Sequence, residues 1–224
     1  MHITEIRRQP WAGLLNTFFI CLKCDHVATQ GVLLGYQCKN CGHPSGVRLF
    51  YSVVIPSLID SIQDFYFLRN ESDVESDLPK ISFQTNPRTV IPLLFCTLAE
   101  VSFEHVLQNI MRKQGLSFTD IKRNLNEHLT GRRRRLKLFP HLTKLSWDDA
   151  LKELSSASPI DFTDTFRFYL KVSKARNRFL HDGVPWAIKP QDPQDCINQI
   201  WPLLKLFVAL HNRFVSEQAP VERV

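Results

Sequence analysis

No low-complexity tract and no repeat at a fixed period runs through this chain of 224 residues, which excludes repeat architectures. Glycine is scarce, with eight residues, and that excludes a collagen. A spanning run is missing near the start. The longest apolar stretch there, Trp11 to Leu22, is interrupted by Asn16 and falls short of the roughly 20 residues that a membrane helix needs. It follows Arg7 and Arg8, as the apolar part of a signal peptide would. No small-residue cleavage site comes after it, and Cys21 and Cys24 follow at once. The expectation is a folded segment in a cytoplasmic protein with no membrane partner. Acid is in deficit: 22 Asp and Glu against 28 Lys and Arg leave a net charge of +6, which favours polyanionic partners without requiring one. What remains, 44% hydrophobic and 22% charged, is a globular composition rather than a disordered chain or a coiled-coil rod.

Six cysteines are present, and four of them fall in two pairs, Cys21-Leu22-Lys23-Cys24 and Cys38-Lys39-Asn40-Cys41. Two C-x-x-C pairs so spaced are a metal signature rather than a disulfide ladder. Zinc at a structural site takes four ligands in a tetrahedron, and each C-x-x-C turn offers two sulfurs to one side of the ion. Gly42, directly after Cys41, permits a tight turn that aims backbone N–H groups at sulfur. Four thiolates around Zn²⁺ carry a net charge of −2, which Lys23 and Lys39 offset. The expected ligands are Cys21, Cys24, Cys38 and Cys41; His26 and His43 are possible substitutes. With four sulfurs the site is closed, so it is structural and assigned no catalysis. Cys96 and Cys196 sit in apolar helical patterns and read as buried thiols.

Residues 1–55 read as a small β-rich zinc ribbon. Strands are expected at Thr17–Ile20, at Gly31–Tyr36 and at Arg48–Ile55. Residues 56–87 read as a connecting helix, over 57–69, and an acidic linker that includes Glu71–Asp77. Residues 88–218 carry helical periodicity throughout, as a bundle of four to five helices, so the fold class is mainly α with a small N-terminal β-rich module. Helices are expected from Pro92 to Gln114, from Ser117 to His128, from Ser146, from Ser158 with Pro159 at the first helical position, and from Asp192 to Ser216. A break is expected at Gly131.

The fourth of these helices carries Phe162, Phe166, Tyr169, Val172 and Phe179 as one apolar stripe. Its last turns read Lys174-Ala175-Arg176-Asn177-Arg178-Phe179-Leu180-His181-Asp182-Gly183. Ser173, Asn177 and His181 are spaced by four and share a face, and the long Arg176 side chain can reach round to them. A permanent cation, an amide and an imidazole that titrates near neutrality make a credible phosphate site. The same residues also suit a plain polar face with good charge complementarity to a helix C-terminus.

The run Arg176-Asn177-Arg178-Phe179-Leu180-His181, late in the penultimate helix of an all-α bundle, resembles the motif of the HEPN superfamily (higher eukaryotes and prokaryotes nucleotide-binding). The resemblance spans roughly residues 88–216 and includes a long first helix with Glu100. It implies a metal-independent endoribonuclease, often a toxin or defence effector, that works as a homodimer with two motifs facing one cleft. It further implies that His181 moves protons, that Arg176 binds the phosphate and that Asn177 orients the phosphate or the histidine. Glu100 would support Arg176, although a lone acid in a helix is more often a surface residue. Some toxin members carry a Tyr shortly after the His that a partner antitoxin modifies. Here His181 is followed by Asp182-Gly183-Val184-Pro185-Trp186, which argues against that route, though an antitoxin or other regulatory protein stays among the possible partners.

Between Arg112 and Lys144 stand ten Lys or Arg and two acids, with Arg132, Arg133, Arg134 and Arg135 in succession. This run reads as a basic loop suited to RNA phosphates, or else as a solvated charge run. Two functional readings follow: a HEPN-type ribonuclease, or a non-catalytic module that binds RNA or protein beside a structural ribbon. A nucleotide-binding sensor is a third.

Overall fold

A computed structural model describes residues 18–28, 37–44, 47–51, 54–71 and 89–216. Three short strands, β1 (Phe19–Cys21), β2 (Val27–Ala28) and β3 (Val47–Leu49), form an antiparallel sheet in the order β2-β1-β3. Ile20 pairs with Val27 on one side and with Arg48 on the other. The expected strand over 31–36 lies outside the described residues, as do the acidic linker beyond Glu71 and the part of the apolar N-terminal stretch before Phe18.

The expected third strand is cut short. Helix α1 already begins at Val54 and runs to Glu71. Pro56 sits in its first turn, where the missing N–H costs nothing. Ile55, Ile59, Ile62 and Tyr66 then recur at helical spacing, and all four are buried. This helix is longer than 57–69 and does more than connect, because it packs along α2 (Val90–Lys113).

Helix α2 is the centre of the molecule, with α1, α7 (Phe162–His181) and α8 (Asp192–Phe214) against it. By length and composition alone it could cross a bilayer. Its apolar side chains, among them Ile91, Phe95, Leu98, Val106 and Ile110, are instead buried in the core. The same apolar cluster takes in Phe18, Ile20, Val27, Phe50 and Tyr51 of the sheet region, so packing runs without a break from ribbon to helices. Cys96 and Cys196 are both fully buried, and burial raises both thiols, Cys96 to about 12. They are inert packing groups.

Capping follows the sequence closely at two helices. Ser117 caps α3 (Phe118–Glu127) and Ser146 caps α6 (Trp147–Ser156), each accepting from the N–H three residues on. Two expectations fail. Helix α7 starts at Phe162 rather than near Pro159, because the Asp161 carboxylate accepts from the Thr163 and Asp164 amides at 2.8 and 3.1 Å. The other is the basic loop: the break expected at Gly131 falls just before it, at residues 128–130 between α3 and the next helix, but no loop follows. The chain is helical from Gly131 to Thr143, as α4 (Gly131–Arg133), a π-helical turn (Arg134–Leu138) and α5 (Phe139–Thr143). Thr130 caps this segment through the Arg133 amide, at 3.2 Å. Leu138, Phe139 and Leu142 anchor it in the core. The wide π turn, in which the Phe139 N–H reaches back to the Arg134 carbonyl, falls directly before Pro140, which has no N–H to continue an α ladder.

Candidate functional sites: a thiolate cluster and a cationic cleft

The four cysteines of the two pairs converge, with all their sulfurs within 4.8 Å of one another. Cys21 Sγ lies 3.9 Å from Cys41 Sγ, and Cys24 Sγ lies 3.7 Å from Cys38 Sγ. A tetrahedral ion with metal–sulfur bonds of ~2.3 Å sets its sulfurs roughly 3.8 Å apart, so the donor set fits a thiophilic metal. His26 and His43 stand outside the cluster. The two turns are copies of each other. Cys21 N–H donates to the His26 carbonyl and Cys38 N–H to the His43 carbonyl, while the Asp25 and Gly42 amides donate back to Cys21 and Cys38. Both Asp25 and Gly42 have positive φ, 57° and 67°. Gly42 is the glycine expected at this point; Asp25 takes the same conformation despite its Cβ, as Asp does more readily than most residues. The Asn40 side-chain amide points at Cys24 Sγ, at 3.4 Å.

Helix α8 clamps this module to the bundle. Asn212 donates to the Val27 carbonyl and accepts from the Val27 amide, at 2.8 and 2.7 Å, covering the outer edge of β2 as a further strand would. His211, 1% exposed, places Nε2 2.9 Å from the Asp25 carbonyl. A carbonyl only accepts, so Nε2 carries the proton and Nδ1 is left to accept from Asn109 on α2, at 3.5 Å. Phe50 packs edge-on against His211, and the Tyr51 hydroxyl donates to the Leu204 carbonyl.

The second site is a cleft of about 730 Å³ between α2, the segment 129–135 and the last turns of α7. Its walls include Phe103, Phe166, Tyr169 and Phe207. Trp147 backs them, with ring centroids 4.9 Å from both Phe103 and Phe166. Six cations, Arg132, Arg134, Arg135, Lys174, Arg176 and Arg178, line the cleft against two carboxylates, Glu100 and Asp182. Asn177 and His181 line it as well, and both are exposed. The motif on α7 and the arginine run, read separately in the sequence, therefore share one cavity.

The arginines differ within it. Arg176 bonds Glu100 at 2.9 Å and also donates to the Asn177 side-chain oxygen at 3.3 Å. Glu100 is partly exposed, so the pair contributes less than ~1 kcal/mol to stability, and its consequence is orientation. Arg134 pairs with Glu104 at 2.7 Å and donates to the His128 carbonyl. Arg135 lies over the Phe166 ring, 4.9 Å from its centroid. Arg132 lines the cleft, whereas Arg133, also named in the sequence as a phosphate ligand, does not.

Sequence reading missed several contributors. Glu104 follows Glu100 by one helical turn, a signal that was there to read. Lys174 stands two residues before the motif and Arg178 within it, on the same helix. Tyr169 was read as core, and it is buried, but it also lines the cleft; burial pushes its phenol up to about 12, so it stays a neutral hydroxyl. No model of a known protein family matches the chain, and neither a curated protein nor a solved structure does.

Proposed function

We propose that the chain is a metal-independent endoribonuclease of the HEPN type, acting in the cytoplasm and held together by a structural zinc ion on Cys21, Cys24, Cys38 and Cys41. The observation that carries this reading is the shared cleft: Arg176, Asn177 and His181 open into the same aromatic-walled cavity as Arg132, Arg134 and Arg135. Aromatic walls suit a base, and a cationic rim suits the phosphates on either side of it.

The chemistry is a transesterification. The RNA 2′-hydroxyl attacks its own 3′-phosphate, and the bond to the next 5′-oxygen breaks. The products carry a 2′,3′-cyclic phosphate and a 5′-hydroxyl. His181 moves the proton as base or acid. Arg176, held by Glu100, meets the charge that builds on the phosphorus oxygens. Asn177 orients the phosphate or the imidazole. One chain offers one such histidine, so the reading calls for a homodimer in which a second copy supplies the other. Zinc, when bound, supplies folding energy to the ribbon and takes no part in the reaction.

The test is a gel of end-labelled RNA with wild type and His181→Ala, run with and without EDTA, with product ends mapped. The expected result is cleavage by wild type in both conditions, cyclic phosphate ends, and a loss of about 10²-fold or more in the variant. RNA bound without any product would replace this reading with the non-catalytic binding module.

A further inference from the structure

Helix α7 has a second cationic side. Lys171, Lys174 and Arg178 are spaced by three and four, so they form one stripe about 10 Å long. They line a separate groove of about 230 Å³ whose opposite wall is Ala187, Lys189 and Asp192. Asp192 is the groove's one carboxylate, and it is turned inward: its side chain is buried, accepts from the Lys189 amide at 2.7 Å, and lies 3.7 Å from the Lys171 ammonium. Lys174, Arg178 and Lys189 form no ion pair among the described residues, so three cations face outward there without a counter-charge. Lys174 and Arg178 also line the large cleft, which makes them the shared ridge between the two hollows.

Beside this groove stands Trp186. It is 77% exposed, in the middle of a single 3₁₀ turn (Pro185–Ala187) that packs against α7. Its neighbour Ala187 forms part of the groove wall. A tryptophan left open to water next to uncompensated cations has the two parts of a single-strand platform: a flat ring for a base and charges for the flanking phosphates.

We infer that this groove is the track for single-stranded RNA leaving the cleft, with a base stacked on Trp186 and the backbone crossing the Lys174–Arg178 ridge toward Lys189. The track rests on the ribonuclease reading for its direction but is testable by binding alone. The ribose-phosphate chain needs no fixed sequence for such contacts, so the track sets affinity and strand length rather than base choice.

The probe is a fluorescein-labelled oligouridine, titrated by anisotropy into full-length protein carrying His181→Ala, so that affinity is read without cleavage. In that background Trp186→Ala is expected to weaken binding about five- to hundredfold, and Trp186→Tyr to restore most of it. Lys189→Gln should lower the slope of log affinity against log salt by about 0.7, since each phosphate left unneutralised on a single strand takes ~0.7 from it. The exposed position of Trp186 leaves the fold untouched, which far-UV circular dichroism checks. Unchanged RNA affinity in both variants would overturn the track while leaving cleavage by wild type, and so the ribonuclease reading, intact. A Trp186→Ala protein that keeps its RNA affinity but changes its sedimentation would overturn it in favour of a protein interface. Absence of RNA binding in the parent, with no cleavage by wild type, would overturn track and ribonuclease together.

Discussion

The thiolate module and the cationic cleft are built on opposite terms. In the module, the polar groups at the joint are paired: Asn212 closes the β2 edge from both sides, and His211 is fixed between Asp25 and Asn109. Its sulfurs face inward, three of the four cysteines being buried. The cleft instead leaves charge in surplus, with His181, Asn177 and several cations open to water. A region whose polar groups are all satisfied is organised for stability. A region that keeps uncompensated cations around an aromatic hollow holds binding capacity in reserve, at some cost in self-repulsion. Substitutions in the first should therefore unfold the protein, and substitutions in the second should silence it while leaving it folded.

The largest effect expected is from the metal. Cys38→Ser, or stripping with a strong chelator, leaves buried sulfurs without an ion. Metal binding in modules this small supplies most of their folding energy. Phe18, Phe50 and Tyr51 then lose their hold on the common core. The melting temperature should fall by about 10 °C or more, and hydrogen exchange should show loss of protection over 18–28 and 47–51. Elemental analysis should give one zinc per chain before treatment. A chelated protein with unchanged exchange in these segments would show that side-chain packing, without metal, holds the module.

Next comes the joint. His211→Ala opens a cavity against Phe50 and strands the Asp25 carbonyl, and the expected cost is about 2–4 kcal/mol in denaturant unfolding. Glu100→Gln makes the sharpest contrast. It removes an ion pair of comparable length to those joint bonds, but at a partly exposed site, so stability should change by less than ~1 kcal/mol. Cleavage should fall, by up to about hundredfold, because a misplaced guanidinium is felt in the reaction rather than in the fold. If Glu100→Gln instead unfolds the protein while His211→Ala does not, the division between the two regions is wrong.

Legibility in the sequence divides along the same line. The thiolate site was readable because its parts are local: two C-x-x-C turns, each closed by its own backbone, need only one encounter between them. Helix α2 and the Ser117 and Ser146 caps were readable for the same reason, since periodicity and caps act within a few residues. The cleft was not readable as a cleft. Its walls come from residues near 100, 130 and 175, and nothing in the spacing says that the arginine run folds back over Phe166; the meeting of Glu100 with Arg176 was raised only by the HEPN resemblance, against the reading of Glu100 as a surface acid. The helical state of 131–143 was hidden by composition, because four arginines in succession and a glycine look like a loop until Leu138, Phe139 and Leu142 are seen to bury themselves on one side. The strand expected up to Ile55 failed where the β-branched Val54 and Ile55 begin a helix, and Pro56 was the overlooked start signal.

That run of four arginines offers the finest comparison, since the sequence makes them equivalent and the structure does not. Arg134 is tied to Glu104 and to the His128 carbonyl, so Arg134→Ala acts on the segment it holds, with a stability loss of about 1–2 kcal/mol. Arg135 sits half inside, over Phe166, and Arg135→Ala should cost both packing and RNA affinity. Arg132 lines the cleft and is exposed, so Arg132→Ala should leave the melting temperature unchanged and lower the salt slope of RNA binding by about 0.7. Arg133 does not line the cleft, and Arg133→Ala should change neither quantity measurably. Measured together by thermal melting and by anisotropy at graded salt, the four variants should separate into these classes. Four equal losses of RNA affinity would mean that the run acts as an unstructured cloud of charge, and the π-helical turn before Pro140 would then have no part in aiming it.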